Sequence, residues 1–327
     1  MTDLSRLGAT TAAEWTREEV LEAVSVGRHD ALVRSRAWQL LWPGVYADAG
    51  YELDAVQRGF AGVLASGGSA SPVAGPDGRR RLIAYACGRT AARVWLFPLV
   101  DDDDPATGAC DHLQDDVGVW RNVGTVQHDG RTLHRRQLRL GPGDLVRHHS
   151  GLWLTSPLRT LADCAAVLST EALVCCLDDA LHRELVERAE LDALVASREG
   201  TRSVTRLRAA VAAADGRAEA PSETLLRLVL RPHFQGLEPQ VRLFDGVGRL
   251  VARYDLGDRQ ARVAVEADGR AGHEGMVAKD RRRDRTSRQL GWQTERATWF
   301  DIRRRQSEVV ERVQETYDDQ ARRRPAA

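Results

Sequence analysis

The stretch "RYDLGDRQARVAVEADG", Arg253 to Gly269, decides how the last third of this chain is read. It lies across two β-like runs, Leu250 to Leu256 and Ala261 to Ala267, joined by the turn Gly257 to Gln260. Glu266 and Asp268 are two residues apart, so in a strand their side chains leave the same face. Asp255 sits near the end of the paired strand just across the hairpin, and three carboxylates can converge. Carboxylates gathered at a strand end repel one another but suit a hard divalent cation, Mg²⁺ or Mn²⁺, which takes oxygen ligands. Asp255, Glu266 and Asp268 are therefore the candidate metal ligands.

Working outward, a third β-like run, Pro239 to Phe244, precedes the turn Asp245 to Gly248, so the three strands form an antiparallel meander. Before it, Pro221 and Ser222 open a helix with Glu223 in its first turn and an apolar stripe of Leu225, Leu226, Leu228 and Val229. After it come a basic run, Lys279 to Arg288, and a strand ending at Thr298 and Trp299. A closing amphipathic helix carries Val309, Val310, Val313 and Tyr317 on its apolar side. The linker "DGRAEA", Asp215 to Ala220, sets off a domain at 215–327.

The segments "SETLLRLVL", "RYDLGDRQARVAVEADGRAGH" and "KDRRRDRTSRQLGWQTERATWFDI", taken in order, resemble the very-short-patch-repair (Vsr)-like endonuclease domain, a PD-(D/E)XK fold. The resemblance implies catalytic roles for five residues: Glu223 as the helix acid, Asp255 as primary metal ligand, Glu266 and Asp268 as the second acidic pair, and His273 as general base or phosphate contact. Arg282 and Arg283 would meet phosphate. The implied chemistry is metal-assisted hydrolysis of a DNA phosphodiester. One departure stands out: Asp268 occupies the position at which the PD-(D/E)XK pattern has a lysine.

At the other end, Thr16 to Leu21 reads as a helix start, with Thr16 as N-cap and Glu19 completing a capping box. A second helix, Arg28 to Arg36, precedes a short strand pair, Trp38 to Tyr46. Helix, turn, helix and wing is the implied order. The residues "GRHDALVRSRAWQLLWPGVYA" resemble the N-terminal winged helix-turn-helix of AbiEi-type antitoxins. That resemblance places Arg28, His29, Arg34 and Arg36 on the DNA-facing side, and it implies DNA and a toxin as partners.

Residues 51–214 read as a mixed middle domain, with helical runs at Ala55 to Ala65 and Thr170 to Ala196 and β-like pieces at Val117 to Val126 and Leu152 to Leu154. Its blocks "ACGRTAARVWLFPL" and "LTSPLRTLADCAAVL" also resemble AbiEi-like chains. The second block has a plain physical reading: Ser156 caps a helix, Pro157 suits its first turn, and Arg159 and Asp163 form an i, i+4 pair.

The whole is thus expected to be an α/β (α+β) chain: a winged helix-turn-helix at 1–50, a middle domain at 51–214 and a nuclease-like domain at 215–327. The formal net charge is zero, so any DNA contact must be local. Of 47 Lys plus Arg only Lys279 is lysine, which points to codon bias more than to guanidinium chemistry. Five cysteines without CxxC spacing read as buried thiols. No run approaches a membrane span and the start lacks an apolar signal core, so a cytoplasmic protein is expected. Two functions follow: a Mg²⁺-dependent DNA endonuclease of repair or phage defence, aimed by its winged helix, or an antitoxin-like transcriptional regulator whose nuclease fold is silent.

Overall fold

A computed structural model describes residues 14–16, 38–48, 53–68, 73–74, 80–101, 114–200, 203–268 and 277–323. The chain divides into two compact units that interleave in sequence, one taking residues 1–173 and 189–207, the other 174–188 and 208–327.

In the first unit, β1 (Glu14–Thr16), β2 (Trp38–Trp42) and β3 (Val45–Asp48) form a sheet in the order β1-β3-β2, antiparallel throughout. The expected strand pair after residue 37 is therefore present, turning at Gly44, whose φ of +84° favours glycine. Thr16 closes β1; the two helices expected at 16–36, with Arg28, His29, Arg34 and Arg36, lie outside the described residues.

Helix α1 (Ala55–Ala65) has the predicted bounds and starts in a capping box, Asp54 Oδ1 accepting from Gln57 N at 2.8 Å while Gln57 Oε1 accepts from Asp54 N at 2.9 Å. After the short ladder of β4 (Val73–Ala74) with β5 (Arg80–Arg81) come β6 (Ala84–Ala86), α2 (Gly88–Val94), β7 (Gln114–Val119), β8 (Gly124–His128), β9 (Arg131–Arg136), β10 (Leu145–Arg147) and β11 (Trp153–Thr155). The last six strands make one mixed sheet, β10-β11-β6-β7-β9-β8, with β7–β9 and β11–β6 parallel. Helix α1 packs closely on it because Gly62 carries no side chain; a Cβ there would come within 3.1 Å of Val117 and 3.3 Å of Leu133. Trp42, Val117, Leu133, Leu152 and Leu154 lie at the centre of this core.

The helical stretch that follows is broken where one run was expected. After α3 (Pro157–Cys164), α4 (Thr170–His182) and α5 (Arg188–Ser197) are separate helices, with Glu184 at a left-handed φ of +55° between them, and α6 (Val204–Ala213) follows. The single run over Thr170 to Ala196 is thereby corrected. Tertiary packing closes α4 early: Leu177 and Ala180 are fully buried while Arg183 and Glu184 are exposed.

The second unit contains α7 (Pro221–Leu230), β12 (Glu238–Phe244), β13 (Leu250–Asp258), β14 (Val263–Asp268), α8 (Val277–Gln289), β15 (Gln293–Thr298), α9 (Trp299–Arg304) and α10 (Gln306–Arg323). The sheet order is β12-β13-β14-β15, antiparallel except for the β14–β15 pair. The element order follows the sequence reading save at the end, where α9 and α10 replace one closing helix. Thr298 and Asp301 form a capping box that starts α9, and the chain restarts after Arg305. Val241, Leu243, Ala252, Tyr254 and Trp292 pack on the sheet, with Tyr254 stacked on Trp292 at 5.3 Å.

Candidate functional site

The acids of the second unit are held by three different devices. Helix α7 is fixed by a buried knot: Asp178 accepts from Thr224 Oγ1 at 2.7 Å, from Arg227 at 2.7 Å and from the Asp215 N–H at 2.6 Å. That knot sets the first turn of α7 and so the position of Glu223. Glu223 Oε2 accepts the Glu219 N–H at 2.9 Å and the Gln240 side-chain amide at 2.8 Å. Gln240 takes a left-handed φ of +56° within β12, and its Oε1 is buried without a hydrogen-bond partner.

Asp255, on β13, is clamped across the sheet by the Ala267 N–H, which donates to Oδ2 at 2.8 Å. It takes part in no ion pair among the described residues. Burial pushes its carboxyl up to about 7, with the Glu223 charge adding to the rise and the Ala267 hydrogen bond opposing it. Glu223 is raised as well, again chiefly by burial.

Glu266 is arranged differently. It is buried and bound by two guanidiniums, Arg283 at 2.9 Å and Arg296 at 3.2 Å. Arg296 in turn grips Asp284 at 2.8 and 3.0 Å. Burial still raises the Glu266 carboxyl, against the pull of Arg283 and then Arg296. Asp268 ends β14, exposed and opposite Thr298. Of the other expected site residues, Arg282 is exposed on α8, whereas His273 lies outside the described residues. Among the described residues no group of three or more His, Cys, Asp or Glu stands ready to hold a metal ion. Among the described residues Glu223, Asp255 and Asp268 have no arginine partner, whereas Glu266 is engaged by Arg283 and Arg296.

The first unit contains acids that the sequence reading passed over. Asp115 and Asp116, adjacent on β7, are both buried, at 3% and 0% exposure. Asp115 meets Arg58 through both oxygens at 3.2 Å and Arg93 at 3.3 Å. Asp116 takes Arg136 at 2.5 Å and the Arg89 N–H at 3.1 Å, and its own N–H donates to Thr90 Oγ1 at 2.8 Å. One stretch of β7 thus ties α1, α2 and β9 together. The signal was the pair of aspartates in an otherwise β-like run, whose partners come from α1, α2 and the parallel neighbour β9.

Residues 85–212 match the family model of the AbiEi antitoxin C-terminal domain. Two relatives, described as uncharacterized proteins of Mycobacterium tuberculosis strains CDC 1551 and H37Rv, are each 28% identical over 232 residues, covering 70% of this chain and 80% of theirs. No solved structure matches. The antitoxin-type domain thus includes the β7 aspartates with Arg89, Arg93 and Arg136, though not Arg58, and ends before α7, ahead of Glu223 and Asp255.

Within the antitoxin-type domain the "TSPLRTLAD" block is structural, as its helix-start reading implied. Ser156 caps α3 by accepting from Arg159 N at 3.3 Å, with Pro157 opening the helix. The buried Arg159 reaches Asp163 at 2.9 Å, Asp144 at 2.5 Å and the Arg139 carbonyl at 2.6 Å. Thr155 and Thr160 share a buried hydroxyl contact at 2.7 Å. Burial lifts Asp163 to about 6 against the pull of Arg159. Cys87, at the head of α2, and Cys164, Cys175 and Cys176 are all buried. No helix among the described residues is long and apolar enough to cross a membrane.

Proposed function

We propose that this chain is a DNA-binding, antitoxin-like regulator. The observation that carries the reading is the match of residues 85–212 to the AbiEi antitoxin C-terminal domain. In this reading DNA is contacted through the basic segment that includes Arg28, His29, Arg34 and Arg36, ahead of the β2–β3 wing, and a toxin is the second partner. Regulation of this kind needs no chemistry at Asp255. The arginine grip on Glu266 agrees with acids that serve folding there.

A second reading, a PD-(D/E)XK-type nuclease centre in the second unit, is favoured by one feature: the Asp255 and Glu223 carboxyls crowd together beside the orphaned Gln240 Oε1. Asp255 and Glu223 would begin the ligand set of a hard cation supplying Lewis-acid activation of water, and Asp268, exposed at the end of β14, would have to move to join them, since no three such groups stand ready among the described residues. Glu266 would have to leave its arginines to join them. Arg282 and Arg283 would then steady phosphate oxygens.

The two readings part in one gel experiment. The purified chain and an Asp255→Ala/Glu266→Ala variant are incubated with supercoiled and linear DNA in Mg²⁺ or Mn²⁺, and both binding and cleavage are followed. Shifted but intact DNA with both proteins is the expected result. Metal-dependent cutting by the parent alone would overturn the silent-fold reading in favour of an endonuclease.

A further inference from the structure

The hairpin between β12 and β13 carries three exposed large apolar side chains within seven residues: Phe244 at 50% exposure, Val247 at 75% and Leu250 at 57%. Phe244 and Leu250 are direct cross-strand partners, so they form one patch with Val247 at the tip. Scattered apolar surface residues are ordinary; three gathered on a projecting tip are not. The inward side chains of the same hairpin, Val241, Leu243 and Ala252, already supply the core, so the outer three are surplus to packing.

The tip is rigid. Asp245 Oδ1 accepts the Val247 N–H at 3.0 Å and the Arg249 N–H at 2.8 Å, and Gly248 turns at a φ of +79°. The one acid of the loop thus has its Oδ1 engaged within its own turn. Next to the patch in sequence are Arg242 and Arg249, both exposed and without an ion pair among the described residues. An apolar tip flanked by two unpaired guanidiniums fits a polyanion with a stackable interior.

Strand direction sets where the tip lies. β14 runs antiparallel to β13 and parallel to β15, so Asp268, Thr298 and the hairpin tip are all at one end of the sheet. Leu250 is five residues before Asp255, so the tip extends about 17 Å beyond the acids at roughly 3.3 Å per strand residue. The acids at its base repel a phosphate backbone less than their number implies, because Glu266 is matched by two arginines.

We propose that the β12–β13 tip is a wedge for duplex DNA, its apolar residues entering between base steps from the minor groove while Arg242 and Arg249 meet the flanking phosphates. The proposal rests on the DNA-binding reading above and assigns the second unit a contact of its own. The test uses the full chain and a duplex containing 2-aminopurine, whose emission rises when the base unstacks. The parent is expected to raise emission severalfold. Phe244→Ala/Val247→Ala/Leu250→Ala should abolish the rise and weaken binding about tenfold with an unchanged salt slope.

Arg242→Gln/Arg249→Gln should keep the rise at saturation but lower the salt slope by about 2, at roughly 0.9 per phosphate contact. Val247→Asp, which sits in the turn and leaves the ladder alone, should also abolish the rise and shows that a loss is not one of folding. A parent that binds duplex without unstacking it, or variants that behave like the parent, would overturn the wedge and leave the DNA-binding reading standing. A parent that binds no duplex at any salt would overturn both.

Discussion

Asp115 and Asp116 in the antitoxin-type domain and Glu223 and Asp255 in the second unit are two acidic pairs with opposite surroundings. The first pair is enclosed by Arg58, Arg93 and Arg136, each reaching a carboxylate oxygen within 3.3 Å. Among the described residues the second pair is held only by N–H groups, from Ala267 to Asp255 and from Glu219 and Gln240 to Glu223. Buried charge is tolerated where it is matched, so the caged pair belongs to the architecture. The half-buried second pair, left without a cation, shifts its proton equilibrium instead, and such groups gather where a ligand or a reaction completes them.

The largest expected effect breaks the first pair. Asp116→Ala removes a fully buried carboxylate and strands Arg136 and the Arg89 N–H, so stability should fall by about 3 kcal/mol in urea unfolding. A loss under 1 kcal/mol would mean that the cage contributes no more than surface ion pairs do.

Asp255→Asn sharpens the contrast. The Asp255 carboxyl is raised from the usual carboxylate range to about 7, so between pH 4 and 7 the folded state holds a proton that the unfolded state has released. Stability contributed by this group therefore falls as pH rises through that window. The asparagine variant should match the parent near pH 4 and exceed it by about 2 kcal/mol at pH 8, read from melting curves across pH. Equal pH profiles would place Asp255 in a far more solvated setting than the structure gives it.

The smallest effect marks the baseline. Arg253 and Glu219 meet at 2.6 Å, but both are more than a third exposed. Arg253→Ala should cost about 0.3 kcal/mol by the same unfolding assay. A cost near that of Asp116→Ala would dissolve the distinction between caged and exposed pairs.

Legibility followed contact range. Over residues 221–298 the hydrophobic alternation, the turn residues and Pro221 placed the helix and four strands in order, because each pairing joins near neighbours in sequence or follows one crossover helix. Ser156, Pro157, Arg159 and Asp163 were readable for the same reason, their chemistry being complete within two helical turns. The six-stranded sheet was not. Its β7–β9 and β11–β6 pairings are parallel and skip over intervening strands, and no local pattern specifies which buried strands lie side by side.

What the sequence determined alone was which residues are acids, which faces are apolar and where helices begin, since these depend on residue type and spacing. What only tertiary structure decided was the state of each acid. Glu266 reads like Asp255 in sequence, yet Arg283 and Arg296 arrive from α8 and β15 to match its charge, while Asp255 meets an N–H and the field of Glu223. The free energy of a buried charge depends on groups brought together from distant parts of the chain.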